Sequence, residues 1–346
     1  MTACVLFTML LCLFTSCNTA DKKLAYQSQR LLDKADQLIE HREFDEAYAQ
    51  TQKAHSQLET LLNKDKTNAD YILLLARSNF VAFIAKNTRI IENSPLNSLS
   101  LTRLPEVSQY KDYPLFISQG IDSLLELEKN PTLLSFQQKA SLHSLLAAMY
   151  HLNSKTLDKS ISEYERAIQV NREWISDLQS KHSKRQPKGI AINRIRNQIQ
   201  ALKMNQITVY IIQHNWSGGL NKLETLKGKD DLKYFDINLQ HQYAHLDDLK
   251  NQASQDKKNS SFSKVKNFFR KSSTPQKEDI NSYGSLSLHK VEVLQAKINI
   301  AYLKNQLIYR MICYAHLGKT DQLKTCSLIL KKYDASLNTE LLQLLR

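Results

Sequence analysis

His241 and His245 stand four residues apart on a predicted helix, with Asp247 and Asp248 close behind. That spacing puts both imidazoles on one helical face, an arrangement that can hold zinc. A zinc protease of this pattern also needs a glutamate beside the first histidine as general base. The chain has Gln242 there, whose amide cannot take a proton. The pair is a candidate metal site to be weighed against two ordinary surface or half-buried histidines. Leu317-Gly318-Lys319-Thr320 has the ending of a phosphate-binding loop. The first glycine of that motif would fall at position 313, which is Cys313, so the cradle of backbone N–H groups is missing and the segment reads as a helix turn. No G-x-S-x-G elbow occurs, and the many Asp and Glu pairs fall on helical faces that water solvates. These residues predict a protein that is not an enzyme and carries no cofactor.

Cys17 carries a different chemistry. Residues 1–16 hold no charged side chain, and Val5–Phe14 is almost continuously apolar. About ten apolar residues are too few for a spanning helix, which needs about 20, and suit the core of an export signal. Phe14-Thr15-Ser16-Cys17 resembles a lipobox, the site where bacterial signal peptidase cleaves before a lipidated cysteine. Phe14 stands where that pattern prefers Leu, and no Lys or Arg precedes the apolar core. The resemblance implies lipidation at Cys17 and a polar tether over residues 17–30. Acyl chains contributing about 0.8 kcal/mol per buried CH₂ would then anchor the chain in the cell envelope. With Asn18 after the cysteine, the outer membrane is implied for a Gram-negative source. The alternatives are a plain cleaved signal or a buried first helix.

Composition narrows the fold. Seven Gly and six Pro in 346 residues argue against turn-rich β architecture. The formal net charge is +13. In a cytosolic protein that would suggest nucleic acid; behind an export signal it points to anionic lipid, cell-wall polymer or an acidic protein face. Nucleic acid is therefore not an expected partner. Of the cysteines outside the leader and the lipid site, Cys313 and Cys326 remain, on opposite helices of a predicted hairpin. A disulfide and two buried thiols are both open.

The elements that would position these residues are helices with apolar steps of three and four. They are predicted over 31–58, 70–92, 115–128, 135–152, 157–171, 195–212 and 290–332, with a closing helix at 337–345. Pro95, Pro105 and Pro114 mark an irregular connection, Lys181–Gly189 a basic loop, and Trp216–Gly219 the end of a long helix. Asp256–Asp279, rich in Ser and Lys, reads as a mobile insertion. Within it Phe268 and Phe269 align with Lys264, Lys266, Arg270 and Lys271 as in a basic amphipathic helix able to lie on a membrane surface. The alternative there is a solvated loop.

Leu31–Leu58 resembles one tetratricopeptide (TPR) unit. Ala35 and Leu38 stand at its small and large positions, a turn follows at His41-Arg42-Glu43, and Phe44-Asp45-Glu46-Ala47 opens the second helix, with Ala54 the next small residue. Arg42 replaces the usual turn glycine. Ser141–Asn171 and Leu307–Lys332 resemble degenerate copies, Ser160 and Leu323 standing where Ala is usual. The resemblance to bacterial TPR lipoproteins implies an all-α, TPR-like helical-hairpin solenoid with degenerate repeats. Its helical regions would be 31–180 and 190–346. It implies an interaction scaffold or adaptor holding another envelope protein or peptide, with first-helix residues Lys34, Gln37, Ser144 and Arg310 facing the groove. The rival reading is a ligand-handling lipoprotein of a solute-uptake system.

Overall fold

A computed structural model describes residues 19–87, 112–180, 188–226, 232–267 and 281–345. The fold is all-α: twelve α-helices and no strand among the described residues. The chain divides into two compact units, Met1–Gly219 and Leu220–Arg346.

The first unit begins with α1 (Thr19–Glu40), α2 (Phe44–Lys64) and α3 (Ala69–Lys86). After a π-helical turn at Pro114–Ser118 come α4 (Gln119–Glu128) and α5 (Phe136–His151), then α6 (Leu157–Ser180) and α7 (Lys188–Ile212). Consecutive helices pack on one another from α1 to α3 and from α3 through α4 to α7, and α3 also packs on α1 and α5. The pattern of burial explains the order. α1, α2 and α6 are apolar on one face, whereas α3 is buried nearly all round, from Tyr71 to Ala85. Helices without a polar face belong in an interior. Accordingly α3 and α5 contribute to two apolar clusters, one shared with α4 and one with α6. At the α5–α6 contact, Ser160 is fully buried and its hydroxyl donates to the Ala147 carbonyl at 2.8 Å. A hydroxyl in the usual place of a methyl is tolerated because that bond satisfies it.

Three turns share one geometry. The Glu43 N–H donates to the Leu38 carbonyl and Arg42 to Ile39; Asn215 donates to Tyr210 and His214 to Ile211; Lys319 donates to Tyr314 and Gly318 to Ala315. This is the Schellman cap, whose penultimate residue takes a positive φ. Arg42 (φ 62°), His214 (57°) and Gly318 (68°) occupy that position. The departure noted at Arg42 is therefore a strained version of the turn that glycine makes freely. The left-handed conformation costs a side-chain-bearing residue about 1–2 kcal/mol, and glycine gives part of that back in unfolded-state entropy. Arg42→Gly is expected to raise stability by about 0.5–1 kcal/mol in urea unfolding. His214→Gly should gain less, because it also removes the ring contact with Trp216 at 5.2 Å. No gain at Arg42 would mean that its side chain stabilises the turn by other means.

The turn at His214 also corrects one expectation. Trp216-Ser217-Gly218-Gly219 does not trail off the long helix but begins α8 (Trp216–Glu224), with Asn215 Oδ1 accepting the Gly218 N–H at 2.9 Å. The glycines suggested a terminus; the Asn cap and aromatic opening outweigh them.

The second unit holds α9 (Leu232–Asn267), α10 (Asn281–His316), α11 (Thr320–Tyr333) and α12 (Ala335–Leu344). α10 packs on α9 and α11, α11 also on α9, and α12 on α11. Residues 256–267, expected in a mobile insertion, continue α9 as helix. Ser and Lys are tolerable in a helix, and Lys264 and Lys266 of the expected basic amphipathic helix fall within it. A polar clasp joins α9 and α11. Tyr333 Oη donates to Asp236 Oδ1 at 2.6 Å and to its carbonyl at 2.9 Å, Lys332 Nζ reaches the same carboxylate at 2.7 Å, and Tyr333 stacks on Tyr243. These hydrogen bonds hold the Asp236 carboxyl below its ordinary range.

Candidate functional site

The residues expected to face a groove do not form one surface. Lys34 and Gln37 lie exposed on α1, and Lys34 pairs with Glu46 of α2 at 3.0 Å. Ser144 and Arg310 are buried, at 3% and 0% exposure, and cannot meet a partner. Ser144 faces inward because α5 has no polar face. It lines a small gap with Asn171, Trp174 and Gln198.

Arg310 lies in the interior of the second unit. Its Nη2 donates to the Leu223 carbonyl at 3.2 Å and its guanidinium lies 5.2 Å from the Phe235 ring centroid. Nε and Nη1 have no hydrogen-bond partner among the described residues. Cys313 and Cys326 are free and fully buried. Burial pushes both thiols up to about 12, with Arg310 acting weakly in the opposite sense. They are therefore neutral at physiological pH and poor nucleophiles.

His241 and His245 are exposed on α9, and Gln242 between them accepts a hydrogen bond from Asn299 at 3.2 Å. Asp247 pairs with Lys250. Lys264 and Lys266 fall on α9; Phe268, Phe269, Arg270, Lys271 and Cys17 lie outside the described residues. No helix among the described residues is long and apolar enough to cross a membrane.

A site that no sequence motif announced lies in the first unit. An open cleft of about 470 Å³ is formed where the α2–α3 turn meets the end of α4 and the α4–α5 connection. Lys66, Thr67 and Asn68 come from the turn, Asp70 and Tyr71 from the start of α3, Glu126, Leu127 and Asn130 from α4 and its end, and Leu133, Leu134 and Gln138 from the following segment. Local capping positions these groups. Asn68 Oδ1 accepts the N–H groups of Asp70 and Tyr71 and so starts α3. Ser135 and Gln138 form a capping box at the start of α5. The remaining amide of Gln138 donates to Asp70 at 2.6 Å, tying the two helix starts together. Burial raises the Asp70 carboxyl above its ordinary range, and the Gln138 bond opposes that. Leu133 is 82% exposed at the rim of this cleft. A large apolar side chain, amides and mixed charges in one concave surface suit a polypeptide segment, which offers backbone N–H and C=O groups and apolar side chains.

One further group brings metal-ligating side chains together. Glu128 of α4, His143 of α5 and Glu163 of α6 place one potential ligand atom each within 4.8 Å of the others. His143 Nδ1 lies 2.7 Å from Glu163 Oε2. Arg166 Nη1 donates to Glu128 at 2.8 Å and to Glu163 at 3.1 Å. The three ligand residues lie on three helices, so no short spacing betrayed them in the sequence. No protein-family model, curated protein or solved structure matches this chain.

Proposed function

We propose that this chain is a membrane-anchored, TPR-like helical scaffold that docks a segment of another protein, with the lipid on Cys17 and the binding surface in the first unit. The observation that carries the reading is the open cleft with Leu133 on its rim. Two further features support it. Helices packed in sequence with their apolar faces inward leave loop residues to line extended surfaces. The recurrence of one cap geometry at Arg42, His214 and Gly318 fits repeated helical units. The groove is assigned to the turn residues Lys66–Asn68 and to Leu133–Gln138, in place of Ser144 and Arg310.

Anchor and cleft are tested separately. Intact mass and membrane fractionation compare wild type with Cys17→Ser; the substitution is expected to remove a multi-acyl mass increment and release the chain into the soluble fraction. A photoreactive residue at position 133 or at position 67 is expected to trap the same polypeptide in the envelope. The product trapped from position 67 should be lost with Leu133→Glu, at the exposed rim, and retained with Leu328→Glu, a change at an exposed leucine of the second unit. Different or indiscriminate products from the two positions would overturn the cleft while leaving the anchor standing. A wild type that keeps Met1 and is soluble would overturn the anchor.

A further inference from the structure

We propose that Glu128, His143 and Glu163 form a binding site for a divalent transition metal of the zinc class, one that ties α4, α5 and α6 together. The donor set is one imidazole and two carboxylates, which suits zinc, cobalt or nickel; an imidazole disfavours magnesium and calcium, which take oxygen alone. The potential ligand atoms already lie within 4.8 Å of one another, so small rotations of side chains would bring them around one ion. Glu163 and His143 are largely sheltered, with side chains 10% and 14% exposed, while Glu128 at 30% leaves a side open to water.

Charge favours a cation here despite the chain's overall +13. The carboxylates of Glu128 and Glu163 face one bridging guanidinium, and the nearby Lys159 ammonium is directed to the Tyr150 ring, 5.6 Å from its centroid. Arg166 bridges the two glutamates. Its side chain is 55% exposed on a long flexible stem, and an ion pair of that exposure contributes little. A dication would replace it, and the arginine would swing into solvent. Because the three ligands belong to three helices, metal binding would favour the folded state over the unfolded one.

The test is titration of the purified full-length chain with Zn²⁺ against a chromogenic chelator, followed by Co²⁺ absorption to read the ligand field. One equivalent is expected to bind with a Co²⁺ spectrum containing nitrogen and oxygen ligands. Glu163→Gln and His143→Gln should each weaken binding by about 100-fold or more, beyond the 10–100-fold typical of changes outside the ligand set. Arg166→Ala is the variant that separates a metal site from a plain ion-pair cluster. It should tighten Zn²⁺ binding by up to about fivefold, the value of a surface ion pair, while slightly lowering metal-free stability. His241→Ala with His245→Ala should leave binding unchanged. No binding at 100 μM Zn²⁺, weaker binding with Arg166→Ala, or loss of binding only with the His241 and His245 changes would each overturn the site.

Discussion

Arg77→Met is expected to destabilise the first unit by about 3–5 kcal/mol, the cost of removing one member of a buried ion pair. Arg77 is fully buried on α3, and its Nη2 donates to Asp36 at 2.5 Å and to Asp33 at 2.9 Å, both on α1. Burial opposes the guanidinium charge, and the two carboxylates outweigh it, so the Arg77 pKa moves upward. Asp36 is itself only 2% exposed, so the substitution removes the cation that offsets its buried charge. The double change Arg77→Met with Asp36→Leu should recover most of the loss, since it removes both charges. Arg310→Met is expected to go the other way, from neutral to about 1–2 kcal/mol stabilising. Arg310 is equally buried, yet it faces a carbonyl and an aromatic ring and has no ion-pair partner among the described residues. Urea unfolding of the three variants beside wild type checks the set. A loss below 1 kcal/mol for Arg77→Met would show that the other contacts of Asp36, or water, carry its charge without Arg77.

The second large effect is on acid stability. His151, at the end of α5, is buried, with Nδ1 3.3 Å from the Tyr164 hydroxyl. Burial lowers its pKa from 6.5 to about 4. The unfolded chain therefore binds a proton on this residue below pH 6.5, while the folded chain stays neutral there until about pH 4. Between those values the unfolded state holds more protons, so stability falls as pH falls. The shift corresponds to roughly 3 kcal/mol, fully present above pH 6.5 and lost by pH 4. His151→Phe keeps a ring against Tyr164 and removes the titration. Its unfolding free energy should therefore depend less steeply on pH across that window. Equal slopes for the two proteins would place the source of acid sensitivity elsewhere.

Much of the helical layout was legible in the chain. The three- and four-residue steps marked α1, α2, α6 and α11, because burying a stripe on a 3.6-residue helix demands that spacing; α3 and α5 were legible as helices from their apolar content, without a single stripe. His41-Arg42-Glu43 and the Gly318 segment were readable as turns, since helices end where the backbone must turn left-handed. One place misled. Gly218-Gly219 suggested an end where α8 begins, because the Asn215 cap starts a new helix there.

The candidate sites were far less legible. Ser144 and Arg310 sit at positions matching exposed first-helix residues, yet both are buried. Periodicity locates an apolar stripe on an amphipathic helix, but it cannot orient α3 or α5, which carry apolar side chains on every side. Which face of such a helix meets which neighbour depends on the elements packed around it. The cleft and the Glu128–His143–Glu163 cluster depend on the same fact, because their residues come from separate helices. By itself the sequence determined an all-α chain, its main helices and its turns at Arg42 and Gly318, since these rest on contacts within a few residues. Only the tertiary structure decided that Arg77 has two carboxylates and Arg310 none among the described residues, and that three ligating side chains converge. Those outcomes depend on distances between helices, which local spacing does not encode.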